Sequence, residues 1–285
     1  MLLMKKFKIL LVAFIMLPLI VLPQKKTKDS IKDKPARPAF ESSFVIDNPT
    51  NEVLGKNTLE VMMQHRFGLI NGGTNDLAGF WAPSNIRIAL AYGIHERVTI
   101  GYGTTKFNRL QDFNWKVALL RQTRSDRIPL SITYYGNFTI DARKKENFNM
   151  TQDRYSFFNQ VIFARRFSPK VSFQIAPSIS HYNLVDEGMN NDLVSVAIGG
   201  RVKISPQTSI LIDYSQPITQ YKADDLQPKP GFSLGVEFAT SAHEFQLMIT
   251  NNNGLVPQKN YMYNQYDFFK GDFLIGFNIT RKYNF

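Results

Sequence analysis

Twelve side chains of this sequence sit at alternate positions on the polar side of extended runs: Glu60, Gln64, Arg66, Arg87, Lys116, Asn137, Arg201, Lys203, Asp213, Glu237, Glu244 and Asp272. Acids, bases and amides are mixed, and a spacing of two residues throws them all to one face of a strand. Such a set suits ion recognition. Gathered around an axis, it would line a polar, mildly cationic path for anionic or zwitterionic solutes. The same charges could instead neutralise one another as salt bridges that fill a narrow lumen and stiffen its wall. The sequence leaves both open.

Bond-making chemistry has little to work with. Cysteine is absent, which removes thiolate nucleophiles, disulfides, cysteine metal sites and the acylated cysteine of a lipoprotein. The four histidines, His65, His95, His181 and His243, lie on different strands or turns without metal-ligand spacing. His65 falls on the outward parity of its strand, where a membrane-face hydrolase would carry one, but no serine shares that face in 58–70, 85–94 or 271–285. It is expected instead to make a subunit contact or turn inward at a bulge. GYG (101–103) and NGG (71–73) open no helix, so neither is a phosphate loop. The expectation is a non-enzyme with no cofactor and no metal site.

The runs that carry the polar residues read as strands. Residues 58–70 set Leu59, Val61, Met63, Phe67 and Leu69 against Glu60, Gln64 and Arg66, and 85–94 set Ile86, Ile88, Leu90, Tyr92 and Ile94 against Asn85, Arg87, Ala89, Ala91 and Gly93. Runs at 98–107, 112–122, 129–140, 154–167, 171–182, 192–204, 208–216, 231–240, 243–250 and 271–285 follow. The run 154–167 is bulky on both faces, and its orientation cannot be read from the pattern. Twelve strands, an even count, alternate between short connections such as Ser168-Pro169-Lys170 and long polar ones such as 71–84 and 251–270. That describes an all-β protein, a transmembrane antiparallel β-barrel of the bacterial outer membrane. Tyr102, Phe113, Tyr214, Phe232, Phe273 and Tyr283 bound the apolar faces as interfacial girdles require. Mean hydropathy is only −0.21 because half of each strand is polar. The last run keeps its apolar alternation to Phe285, broken only at Arg281, as expected of a strand that closes a barrel against lipid.

Residues 1–24 combine Lys5, Lys6 and Lys8 with an apolar stretch from Ile9 to Leu22, too short to cross a bilayer, and predict a signal peptide cleaved near Gln24. The charged segment 25–38 predicts a disordered spacer. Residues 39–57 carry Phe40, Phe44, Val45, Ile46, Val53 and Leu54, too apolar for a spacer; they predict a releasable plug entering the lumen from the periplasmic side, received by small residues such as Ala89, Ala91, Gly93 and Gly199. The domain plan is thus 1–24 signal peptide, 25–57 flexible periplasmic segment or plug, and 58–285 barrel. The net charge of +11 raises nucleic acid as a partner, but it is partly concentrated around the signal peptide and no basic helix or nucleic-acid motif accompanies it.

HRFG (65–68), FWAPSNIRIALAYGI (80–94), TIGYG (99–103), KVALLRQ (116–122) and the aromatic carboxyl end resemble an uncharacterised family of exported Bacteroidota outer-membrane β-barrel proteins. The resemblance covers about residues 40–285 and implies fold and location but no activity. Together these readings predict a passive channel or transporter for small solutes, with a closed barrel acting as a scaffold as the alternative. The implied partners are outer-membrane lipid, the barrel assembly machinery, a small solute and, on the alternative, another envelope protein.

Overall fold

The computed structural model describes residues 33–285; the expected signal peptide and its cleavage site lie outside the described residues. A short hairpin, β1 (Phe44–Val45) and β2 (Asn48–Pro49), precedes the barrel. The barrel strands are β3 (Thr58–Leu69), β4 (Asn85–His95), β5 (Val98–Thr105), β6 (Leu110–Leu120), β7 (Ser131–Asp141), β8 (Tyr155–Arg166), β9 (Val171–Tyr182), β10 (Asp192–Lys203), β11 (Thr208–Pro217), β12 (Gly231–Ala239), β13 (His243–Thr250) and β14 (Leu274–Asn284). Each pairs antiparallel with its chain neighbour, and β14 closes the barrel on β3, with Ile279 opposite Met63 and Tyr283 opposite Leu59. Closure leaves no strand edge unpaired, which a lipid environment demands. The Phe285 N–H donates to Asn57 C=O (3.1 Å), while its ring is exposed.

Burial alternates residue by residue, as the side-chain period of two requires: in β3 every even-numbered residue from Thr58 to Gly68 faces in. The odd face of β3 and its equivalents carry exposed Ile88, Ile100, Ile212 and Leu247. Rings pack along this outer surface near the long loops, in the series Tyr102, Phe113, Phe138, Phe157. His65 stays outward, stacked on Phe277 at 5.1 Å and beside Phe67. The strand that the pattern could not orient, β8, turns Phe157 out and Phe158 in, because Phe157 meets Phe138 outside while Phe158 meets Tyr135 inside.

Three features differ from expectation. The last strand starts at Leu274, not at 271, because Gly271 takes a left-handed conformation (φ 91°) after a 3-10 turn at Phe268–Lys270. Asp272, expected on the lumen wall, therefore lies in the loop, where its carboxylate accepts from Asn71 Nδ2 and from the Asp267 N–H. Second, the charged spacer is not free throughout: Pro35 bridges Thr123, Ala36 N–H donates to Gln122 C=O and Arg124 N–H to Lys34 C=O. Main-chain groups bond whatever the side chains are, so composition did not reveal this docking. Third, the loop 251–273 folds inward: helix α1 (Pro257–Tyr263) buries Gln258, Tyr261 and Met262 against β8–β11. No described helix is long and apolar enough to cross a membrane; the spanning elements are strands.

The main hydrophobic cluster consequently lies inside the barrel, where Phe40, Val45 and Ile46 of the amino-terminal segment meet Phe158, Ile162, Ala197, Leu211, Tyr261 and Met262. The outer face predicts a clear penalty. Ile88→Arg, at an outward position 51% exposed, should lower stability in lipid by about 2–4 kcal/mol, whereas Ile88→Leu should be near neutral. Urea titration in vesicles reads the difference, and equal stability of the two variants would show that Ile88 does not face lipid.

Candidate functional site: a charged lumen closed from both ends

The hairpin lies on the barrel axis because polar groups from opposite walls hold its backbone. Its turn is tight: Asp47 N–H donates back to Val45 C=O (3.1 Å), which forces Ile46 to φ 68°, a strained conformation for a β-branched residue. The freed Ile46 carbonyl accepts from Asn278 Nδ2 (2.9 Å), and the fully buried Ile46 side chain belongs to the internal cluster. Asp47 makes an ion pair with Arg66 (2.8 Å, both buried) and its second oxygen accepts from the Ser233 (2.6 Å) and Thr250 (2.9 Å) hydroxyls. From the other side of the turn, Asp213 accepts from the Asp47 and Asn48 backbone N–H groups, both at 2.9 Å, and from Asn48 Nδ2 at 2.7 Å.

Along the hairpin arms, Gln246 donates to Phe44 C=O (2.9 Å), Gln174 to Pro49 C=O (2.8 Å) and Lys116 to Ser43 C=O (2.7 Å), while the Ser43 hydroxyl donates to Glu60 (2.8 Å). These wall partners, three donors from β13, β9 and β6 and the Glu60 acceptor from β3, run the grip around the circumference. Small wall residues make room. A Cβ on Gly93 would stand 2.0 Å from Gly55 O, and one on Gly199 would stand 2.8 Å from Val45 Cγ1. The first approach is to main chain and only glycine permits it; the second is to a side chain.

Beside the hairpin the wall satisfies itself. Arg87 binds Asp112 through two hydrogen bonds (2.8 and 2.7 Å) and also donates to Gln64 (2.9 Å); Asp112 accepts in addition from Asn137 (3.2 Å). Asn137 Oδ1 then accepts from Gln258 Nε2 (3.0 Å) of α1. Tyr261 of α1 donates its hydroxyl to Asn48, so the helix from the long-loop end and the hairpin from the short-turn end touch at mid-lumen. At the short-turn mouth, Lys282 bridges Glu244 (2.8 Å) and Glu41 C=O (2.8 Å), and Arg201 and Lys203 face the Glu41 carboxylate at 3.0 and 3.8 Å. Glu237 accepts from Gln246 (3.0 Å).

Of the residues singled out from the sequence, Glu60, Gln64, Arg66, Arg87, Lys116, Asn137, Arg201, Asp213, Glu237 and Glu244 are buried inside the barrel, Lys203 is partly exposed at the mouth, and Asp272 is in a loop. Sequence reasoning missed Asp112, Gln246, Asn278 and Lys282, although each shares inward parity with a residue that was named or with its neighbours on the same strand. Asp112 was passed over because its strand begins at Leu110, two residues earlier than the pattern implied. Asp47 lies outside the barrel strands and carries no such signal. Among the described residues no group of three or more His, Asp or Glu is placed to hold a metal ion.

Residues 40–283 match the family described as a membrane-bound β-barrel domain (DUF5777). The chain belongs to that family. The matched span begins at Phe40, so the hairpin falls within the family's domain as well as the strands. Among solved structures the barrel is similar to the NanC porin (TM-score 0.50, 7% identity, 80% of this chain and 100% of that one). It is also similar to an outer membrane channel from Pseudomonas putida F1 (TM-score 0.51, 11% identity, 81% of this chain and 97% of that one). At such identities the likeness is one of fold. No curated protein matches the sequence. The protein is a bacterial outer-membrane β-barrel, and its internal cluster is a lumen filled by its own chain.

Two outcomes follow from the grip on the hairpin. Asp47→Ala leaves the buried Arg66 without its partner and should weaken seating of the hairpin by about 3–5 kcal/mol. Limited proteolysis of the folded barrel should then cut within 40–57 faster than in the wild type, and unchanged cutting would remove the ion pair from the account. Glu52, on the segment between the hairpin and β3, has its carboxyl pushed up to about 7 by burial, against the pull of Lys282 and Lys116, although its edge reaches a cavity of about 210 Å³ at this mouth. The seated form thus binds a proton that the released form gives up. This contribution to seating is complete below the ordinary carboxyl range and is lost as pH rises through about 7. Proteolysis within 40–57 should be slower at pH 5 than at pH 8, and Glu52→Gln should flatten that dependence; an equally steep profile in the variant would place the titration elsewhere.

Proposed function

We propose that the protein is a passive outer-membrane channel for small solutes, gated by residues 40–57 as a plug that enters from the periplasmic side. What supports this most is how the hairpin is held: apart from the Asp47–Arg66 ion pair and the Asp213 contacts at the turn, the wall grips its main chain through single side-chain hydrogen bonds from Asn278, Gln246, Gln174 and Lys116, each of which water can replace. Burying Phe40, Val45, Ile46 and Leu54 favours seating, and ordering the segment's backbone opposes it. Opposed terms suit a gate. With the segment withdrawn, the wall it leaves is polar and carries both charges, as a path for anionic or zwitterionic solutes needs.

The other reading, a closed scaffold for envelope partners, draws support from the same apolar cluster, which packs the hairpin against Phe158 and Tyr261 as a soluble core would. Conductance separates the two. Deleting 26–57 while keeping the signal peptide should raise single-channel conductance in planar bilayers and sensitivity of cells to small antibiotics; unchanged permeability with a correctly inserted barrel would favour the scaffold. A second variant works in the full chain. A sulfur at Val45 Cγ1 would stand 2.8 Å from a Cβ at Gly199, close to the geometry of a disulfide, and the native sequence has no cysteine to interfere. Val45→Cys with Gly199→Cys should therefore abolish solute flux when oxidised and recover it on reduction. Flux indifferent to the redox state, with the cross-link formed, would exclude withdrawal of the hairpin as the gate.

A further inference from the structure

The long-loop mouth holds a cavity of about 260 Å³ between α1, the loop-side ends of β7 to β9 and the loop 142–154. Its charges fall into two groups. Some are already committed: Asp141 is held by Arg143 (2.8 Å), and the Asp153 carboxylate accepts the Met150 N–H (2.7 Å). Three are not. Arg154 lies over the Phe148 ring at 4.7 Å and Lys259 over the Tyr263 ring at 3.8 Å, and neither makes an ion pair among the described residues. Asp186, on the same wall, makes no side-chain hydrogen bond or ion pair among them. A buried polar atom without a hydrogen-bond partner, Arg154 Nε, also belongs to a residue of this cavity. Two uncommitted cations, one uncommitted carboxylate and two aromatic faces thus share a space smaller than the ~300–1,000 Å³ pockets of drug-sized ligands.

We infer that this cavity binds a small zwitterionic solute of amino-acid type, its carboxylate on Arg154 and Lys259, its ammonium on Asp186 and its apolar part against Phe148 and Tyr263. Each group supplies what the solute lacks. Burial holds the Lys259 ammonium below its ordinary value, Arg143 adds to the effect, and Asp141 and Asp186 offset it only in part, so an arriving carboxylate relieves a cation that has no ion-pair partner among the described residues. A planar guanidinium on a ring is pre-organised for a carboxylate, with little freedom left to lose. The site also sits on the part that matters for gating. Lys259 and Tyr263 belong to the helix whose Tyr261 touches Asn48 of the hairpin and whose Gln258 bonds to Asn137 and Thr139, so a solute drawing on α1 acts on the contact that closes mid-lumen. The inference names a substrate class for the proposed channel, yet binding itself can be measured on the closed barrel.

Isothermal titration of the full-length barrel in detergent tests it, with L-leucine, 4-methylpentanoate (leucine without its ammonium) and inorganic phosphate as probes. Leucine should bind saturably and more tightly than either of the others. Arg154→Gln with Lys259→Gln should weaken leucine by about tenfold or more, as loss of charge-assisted bonds implies. Asp186→Asn should weaken leucine while leaving 4-methylpentanoate unchanged. Heat-modifiable migration on gels confirms that each variant is folded. Absence of saturable leucine binding, wild-type affinity in the double variant, or equal or tighter binding of 4-methylpentanoate or phosphate would each overturn the assignment. None of these results depends on conduction, so the failure of this site and the failure of the channel reading are distinguishable.

Discussion

The interior of this barrel is organised around one buried carboxylate. Asp47 sits at the tip of a two-residue-stranded hairpin, and its two oxygens are shared between the Arg66 guanidinium and the hydroxyls of Ser233 and Thr250. Removing a charge from water is costly unless it is fully partnered. The partners here come from β3, β12 and β13, so the charge can be accommodated only where those strands converge on the axis. The strained Ile46 turn, the acceptance of two backbone N–H groups by Asp213 and the contact of Asn48 with Tyr261 all depend on the hairpin tip being at that point.

The rest of the lumen divides into two unlike halves. The walls of β3 to β6 and β11 to β14 carry most of the charged side chains, in paired or shared arrangements such as Arg87 with Asp112 and Lys282 with Glu244. The walls of β8 to β10 present Ser, Gln and Ala with Phe158 and Ile162, and α1 packs there. This asymmetry explains how one lumen can hold both a polar grip and a dry cluster. The hairpin turns most of its polar main chain to the charged half, while Val45 reaches toward Gly199 of β10 and Ile46 toward Gly235 of β12. It is seated by two kinds of contact that respond differently to water, salt and pH, which a lumen uniform around its circumference would not provide.

The same alternation that makes the barrel possible also makes its interior legible. A side-chain period of two assigns every strand residue to lipid or lumen once one is placed, so Arg66, Arg87, Lys116 and Asp213 could be put inside from their neighbours alone. The rule stops where the strand stops. Asp272 keeps the inward parity of β14 but sits beyond its first residue, behind a left-handed Gly271, and so reaches a loop rather than the lumen. In β8 the rule had nothing to act on, because Phe157 and Phe158 are equally bulky; the choice was made by Phe138 on one side and Tyr135 on the other, residues of the adjacent strand.

By itself, then, the sequence determined the strands, their number, the closed all-β architecture and, outside β8 and the strand ends, which residues face inward, because each of these follows from interactions repeated over a few consecutive residues. The small residues Gly93 and Gly199 even marked where the wall leaves space. What only the tertiary structure decided is who meets whom inside: Asp47 with Asp213 across 166 residues, Asn48 with Tyr261 across 213, and Gln258 with Asn137 across 121. No local period encodes such pairs. Barrel closure brings segments distant in the chain to one axis, and the cost of burying their charges then selects the few arrangements in which charges such as Asp47 and Arg66, or Arg87 and Asp112, find partners.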